Sequence, residues 1–253
     1  MSRPAPVLRS VGALARHDLR LTARRGENVL VTIVIPIAVL LFFAGTSVMP
    51  DAAGRPVDFL MPGAIALGII ASGLVNLGIA TAYERAYGVL KRLGGAPLPR
   101  WAILAAKATS VLVLELVQIL ALIAVGVIML GWAPGSGWSP ILFGVAVLLG
   151  SVTFVALGLL LAGTLRAEAT LALANGLFLG FLMLGGIVLP IDHLPDALRP
   201  IATLLPATAL ADLLRISLAS AAPASGSAST SVAILAAWAI GAAALTVRTF
   251  RWE

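Results

Sequence analysis

Few side chains in this chain are equipped for chemistry, and their placement narrows what that chemistry is. The chain has no cysteine, which excludes thiol catalysis, thiolate metal sites and a disulfide framework. No G-x-x-x-x-G-K-[ST] phosphate loop, G-x-S-x-G elbow or H-E-x-x-H pair occurs, so nothing here binds ATP through a P-loop or assembles a familiar hydrolytic site. The spacing proposes no nucleophile and base within reach of each other, and neither a catalytic residue nor a metal ligand is assigned. Two features remain. One is a charged, helix-prone island, AYERAYGVLKRLGGAPLPR from Ala82 to Arg100, between two long apolar runs. The other is Glu115, a carboxylate inside an apolar run. An island of this kind suits docking to something soluble, and a lone buried carboxylate suits either translocation or helix-to-helix bonding.

The elements that position these residues follow from composition. The chain is 60% hydrophobic and 11% charged, with a mean hydropathy of +1.06, against roughly 25% charged in a soluble domain. Its apolar runs are long enough to cross a bilayer as helices, at about 20 residues each, and lack the alternation of a barrel strand. Six spans are read: about Asn28 to Met49, Phe59 to Ala82, Ala108 to Leu130, Ile141 to Leu165, Ala169 to Leu189 and Ser231 to Val247. The first run begins too far in, and lacks the small-residue cleavage pattern, to read as a signal peptide; it is taken as a permanent helix. Together the spans fill most of residues 1–253 and leave one transmembrane domain.

Lysine and arginine set the orientation. With the N-terminus inside, the cytoplasmic side carries 14 of them and the outside only Arg55, Arg199 and Arg215, while the acids divide five and five with Glu115 left inside a span. Both termini are then cytoplasmic. The net charge of +6 reads as an insertion signal and a lipid contact, and no nucleic-acid partner is invoked. His17 and His193 fall on opposite sides and cannot form one site.

Residues Val7 to Arg25 read as an amphipathic interfacial helix, with Leu8, Val11 and Ala15 on one side and Arg9, Arg16, Arg20 and Arg24 largely together on another. The alternative is that these arginines only fix topology. Pro36 is expected to kink span one. Between spans five and six, Pro190 to Arg215 carries Pro-punctuated apolar runs too short to span, which predicts short external helices; the following ASAAPASGSAST is low-complexity and expected to be flexible.

Within the island, Glu84, Arg85, Lys91 and Arg92 are charged, Val89, Leu90 and Leu93 apolar, and Gly94, Gly95 and Pro97 stop the helix. A helix this short is marginal alone and must dock on the membrane, on the fold or on a partner; a solvated turn is the plainer alternative. The pattern ER-x-x-G-x-LKRL then PL-x-R, at Glu84, Arg85, Gly88, Leu90, Lys91, Arg92, Leu93, Pro97, Leu98 and Arg100, resembles the cytoplasmic coupling region of type-2 ATP-binding-cassette (ABC) exporter permeases. The AN at Ala174 and Asn175, and GGIVLPIDHLPDALRPIATLLPATALADLLR from Gly185 to Arg215, are similar to that family around span five and its external helices. Ala86 departs from the pattern, standing where relatives often carry a charge.

The resemblance implies an all-α polytopic half-transporter in a bacterial inner membrane. Two copies, as a homodimer, would each sit on a separate ABC ATPase subunit that binds ATP and Mg, with no cofactor in this chain. The substrate class implied is hydrophobic or amphipathic, with a drug or antibiotic first and a lipid or polysaccharide also within the family. An ATP-independent secondary transporter is the competing reading, and it would call for broken helices or paired ionisable groups at the midplane. By the same resemblance Glu84 to Leu93 form the coupling helix.

Counted from the expected inner span ends, Glu115 lies about 10 Å deep and Asn76 and Asn175 about 9 Å. They are read as a polar layer at the inner mouth of a translocation pathway, together with Thr32 and Gln118. The alternative for Glu115 is a protonated or hydrogen-bonded structural role. Span five also carries Ala172, Gly176 and Gly180 at four-residue intervals, a small-residue ridge suited to a dimer seam or to internal packing.

Overall fold

The computed structural model describes residues 7–24, 26–45, 55–95, 99–220 and 224–252, with no side-chain description for 7, 8, 22–24, 26–32 and 100. Among the described residues the fold is entirely helical: α1 (Val7–Arg24), α2 (Gly26–Ala44), α3 (Pro56–Ile70), α4 (Gly78–Ala86), α5 (Val89–Gly94), α6 (Arg100–Leu130), α7 (Pro140–Thr164), α8 (Ala167–Leu184), α9 (Arg199–Thr203), α10 (Pro206–Ser217) and α11 (Ala228–Thr249). A π-helical segment, Ala71–Leu77, joins α3 to α4 without a break. Proline opens α3, α7 and α10, where a missing N–H costs nothing. Ser139 and Ser227 cap α7 and α11 by accepting from the N–H of Leu142 and Thr230. Gly131, at φ 59°, ends α6 in the left-handed region that glycine enters without strain.

Among the described residues five helices are long and apolar enough to cross a membrane: Pro56–Ala86, Trp101–Leu130, Pro140–Thr164, Ala167–Leu184 and Ala228–Thr249. They match spans two to six within a few residues at most ends. The largest differences are α6, which starts about two turns before Ala108 because WAILAAKA continues its apolar pattern, and α8, which stops at Leu184 as Gly185 and Gly186 break the ladder. Helix α2 carries the first predicted span with Pro36 buried inside it; residues 46–49 of that span lie outside the described residues.

The continuous rod from Pro56 to Ala86 is the centre of the fold, and it is held by α7 at backbone contact. A Cβ on Gly158 would stand 2.3 Å from the Gly73 carbonyl oxygen, and one on Gly73 2.9 Å from the Phe154 carbonyl carbon. Small residues here let two helices meet as they do in lipid, where packing rather than water release drives association. Helix α11 packs along α7, α2 lies on α3, and α1 lies on α6. Phe154 meets Phe181 of α8 edge-on, ring centroids 5.8 Å apart.

Helix α10, expected among the external helices, is almost wholly buried between α3, α7 and α11. In the low-complexity stretch after it, residues 221–223 lie outside the described residues, Ser225 N donates to Asp212 at 3.1 Å, and 228–230 already belong to α11. On α1 the inner side is Val11, Leu14, Ala15, Asp18 and Leu19, while Arg9, Arg16, His17 and Arg20 are exposed.

Candidate functional site

The island residues gather where α4, α5, the start of α6, the α7–α8 junction and the tail of α11 come together. Helix α4 ends at Tyr87, and Gly88, at φ 71°, reverses the chain into α5. A side chain at Gly88 would carry the strain of a left-handed conformation. Leu90 is fully buried and pins α5 to the bundle. The charged residues then divide by direction. The Glu84 carboxylate pairs with the Lys107 ammonium of α6 at 2.5 Å, and the Arg85 guanidinium donates to the Leu165 carbonyl at the end of α7. A cation on exposed terminal carbonyls is also where the helix dipole favours it. Tyr87, Val89, Lys91 and Arg92 face outward, Tyr87 with 73% of its surface exposed, and Ala86 is exposed beside them. Leu93 is half-buried. Pro97, Leu98 and the Arg100 side chain lie outside the described residues.

Asp18 of α1 reaches the same cluster. Burial pushes its carboxyl above the ordinary carboxylate range, helped by Glu84 and opposed by Lys107 and His17. The basic tail of α11 closes the group: Phe250 packs on Gly163, and the Arg251 N–H donates to the Gly163 carbonyl at 3.0 Å.

Of the residues read as one polar layer, Glu115 is buried, Asn76 half-buried and Asn175 exposed. Because α6 begins at Arg100, Glu115 stands halfway along its 31 residues, about 22 Å from the helix start. Its side chain is 1% exposed and accepts from Ser151 of α7. One turn on, Gln118 lies over Gly68 and accepts from Ser72 of the π-segment at 3.3 Å. Among the described residues, Glu115 Oε1 and Gln118 Nε2 are buried without a hydrogen-bond partner, an acceptor and a donor on one face of α6. Asn76 is half-buried in the π-segment. Asn175 instead points out of the bundle and donates to the Leu171 carbonyl at 2.9 Å. The Thr32 side chain lies outside the described residues.

A second buried group sits at the opposite end. Arg215, counted among the outer arginines by topology, is buried: it pairs with Asp212 at 3.2 Å, donates to the Gly186 carbonyl and lies 4.1 Å over the Phe59 ring. Burial pushes the Asp212 carboxyl up against the pull of Arg215. Gly186, at φ 62°, turns the chain so that its carbonyl meets that guanidinium. The two ends of the stretch from Gly185 to Arg215 are therefore one bonded unit.

The family model described as ABC-2 type transporter matches residues 9–219, a stretch that holds the α4–α5 corner, the π-segment and the Gly186–Arg215 unit. The chain belongs to the ABC-2 type transporter family. It is 26% identical over 191 residues to "Putative transport permease YvfS" of Bacillus subtilis (strain 168), covering 75% of this chain and 77% of that one. It is 28% identical over 206 residues to "Putative transport permease ycf38" of Porphyra purpurea, covering 79% and 70%. As an ABC-2 family member the chain is a multi-pass membrane protein of the transport-permease kind.

In this ABC-2 chain the residues that sequence reasoning passed over are the partners. In the sequence Lys107 is one of the 14 inner basic residues, Ser151 and Ser72 are isolated hydroxyls in apolar runs, and Asp212 is one of the five outer acids. The available signal was a polar side chain in an otherwise apolar helix, which must find a partner in lipid or in the fold.

Proposed function

We propose that this chain is the membrane-spanning subunit of an exporter whose ATP hydrolysis occurs on a separate ABC ATPase. The observation that carries this reading is the division at the α4–α5 corner. Tyr87, Val89, Lys91 and Arg92 are offered outward, while Glu84, Arg85 and Leu90 tie the same corner into α6, the α7 end and the core. A partner pressing on the exposed set would move α4, and α4 runs without interruption through the π-segment and α3 to the opposite end. The corner is thus both a docking surface and the foot of a lever.

The 14-to-3 split of basic residues puts this corner and both termini in the cytoplasm, with α2 as the first of six spans and α1 lying along the inner surface. A second copy of the chain completes the pathway. Helix α8 leaves Leu171, Leu173, Leu179 and Met183 exposed, and an added Cβ on Gly176 or Gly180 meets nothing within 4 Å, so the small-residue ridge is open for a partner helix. The substrate moved outward is hydrophobic or amphipathic, in keeping with the scarcity of charge in the spans, and a drug or antibiotic is the first class to test.

The test is affinity purification of the tagged chain from its native membrane, with mass spectrometry for a bound ABC ATPase and an assay of ATP hydrolysis in lipid. An associated ATPase whose hydrolysis responds to candidate drugs is expected. Transport that persists in vesicles holding the purified chain without any ATPase would establish the secondary-transporter reading instead.

A further inference from the structure

A groove of about 260 Å³ runs between α6, α7 and α11, in the half of the bundle that holds the α4–α5 corner. Its walls include Ala108 and Leu112 of α6, Val155 and Leu159 of α7, and Ala243 and Val247 of α11. The floor is buried, whereas the rim residues Val152, Ala243 and Val247 are exposed on the face turned to lipid. Ser151 lies at its deep end with its hydroxyl already committed to Glu115. The volume falls below the roughly 300–1,000 Å³ of sites that enclose a drug-sized ligand. It suits one hydrocarbon chain.

The end of the groove nearest the corner has a different character. Trp101 stands on the same stripe of α6 as Leu104, Ala108 and Leu112, at three- and four-residue spacing, and is 59% exposed. An exposed tryptophan at a span end is an anchor at headgroup depth. Directly beyond Val247 come Arg248 and Arg251, both exposed, and among the described residues neither guanidinium is in an ion pair. An apolar slot that ends in an aromatic anchor and two open guanidinium groups complements a molecule with a hydrocarbon tail and an anionic head.

We infer that this groove binds one acyl chain of an anionic phospholipid of the inner leaflet, with the phosphate held by Arg248 and Arg251. The groove is lined by α6, α7 and α11 and not by α5, although Arg251 also belongs to the tail that closes the corner; the lipid site rests on the membrane orientation proposed above, not on the ATPase. Val152 lies in the groove and away from the corner, so its variant separates loss of lipid binding from loss of the ATPase association.

The experiment reconstitutes the full chain in vesicles of phosphatidylglycerol or phosphatidylcholine carrying the same diazirine-labelled acyl chain, then maps photoadducts by peptide mass spectrometry. Adducts are expected to concentrate on 104–112 and 243–247, with about tenfold higher yield from phosphatidylglycerol, the ratio of a tenfold affinity difference. Arg248→Gln with Arg251→Gln should bring that yield down to the phosphatidylcholine level. Ala156→Phe fills the floor; Val152→Trp covers the slot from its exposed rim without burdening the core, so one variant folds even where the other fails. Either should cut groove adducts about tenfold while leaving those on the exposed side of α8 unchanged. Adducts spread evenly over α2, α8 and α11, equal yields from the two lipids, or full groove labelling of Val152→Trp would each overturn the assignment.

Discussion

The Glu84 carboxylate of α4 stands 2.5 Å from the Lys107 ammonium of α6, a pair in which the lysine side chain is 7% and the glutamate side chain 32% exposed. This contact makes the first residue of the sequence motif an internal brace. Removing the acid strands a buried ammonium, and the loss should be about 1–3 kcal/mol. Glu84→Gln is therefore expected to melt at lower temperature in detergent. Adding Lys107→Met should return part of the loss, since the two positions are coupled. Strictly additive losses in the double variant would show that the pair does not act as a unit.

Arg92 presents the opposite case. It is exposed on α5, so reversing it should alter stability by no more than about 0.5 kcal/mol. Arg92→Glu is expected to leave melting unchanged and to weaken copurification of the ATPase, and in the unaltered protein that association should weaken with salt. Arg85→Gln should do the reverse: the ATPase still binds, but its hydrolysis no longer responds to substrate, because the tie to Leu165 is gone. Normal coupling in Arg85→Gln would remove the lever from the mechanism.

Asp18 gives the cluster a pH dependence. Its carboxyl titrates above the ordinary value of 3.8 because α1 buries it, with Lys107 and His17 opposing the shift and Glu84 adding to it. The folded state therefore holds the proton to higher pH than the unfolded state does. Over the window from 3.8 up to the raised value, stability contributed by this group falls as pH rises. Thermal unfolding followed upward from the ordinary value of 3.8 should show that decline, and Asp18→Asn should flatten it. A variant whose slope matches the unaltered protein would place the dependence elsewhere.

Long apolar runs and the position of basic residues were enough to read five of the spans, because hydropathy reports the one requirement that every crossing helix shares. The island was legible for the same reason in reverse: Glu84, Arg85, Lys91 and Arg92 break the apolar pattern. Direction was not legible. Glu84 and Lys91 look alike in sequence, and only the reversal at Gly88 and the approach of α6 and α7 turn the first inward and leave the second outside. Depth counted from hydropathy grouped Glu115 with Asn175, but helix rotation decides which residues meet, and Asn175 faces away from the bundle. The π-segment left no local sign beyond Gly73, whose partner Gly158 is distant in sequence.

That glycine pair carries its own expectation. A methyl group on Gly158 would collide with backbone rather than with a movable side chain, at 2.3 Å from the Gly73 oxygen. Separating α7 from the π-segment to relieve this should cost about 1–3 kcal/mol. Gly158→Ala is expected to reduce the melting temperature and the folded yield, whereas Gly176→Ala, which meets nothing within 4 Å, should leave monomer stability unaffected. If Gly176→Ala lowers the dimer fraction in crosslinking, the ridge on α8 is the seam between copies.

Glu115 decides whether the buried polar cluster transports or only holds. Its Oε2 accepts from Ser151 and its side chain is enclosed, an arrangement that glutamine reproduces with its carbonyl. Glu115→Gln should therefore keep both melting temperature and transport close to those of the unaltered protein. Glu115→Ala removes the acceptor, leaves the Ser151 hydroxyl unpaired and opens a cavity, for a loss of about 2–4 kcal/mol. Transport measured in vesicles separates the two roles. A Glu115→Gln variant that folds and melts normally but loses export would show that the carboxyl itself works on the pathway, and α6 would then line the route of the substrate.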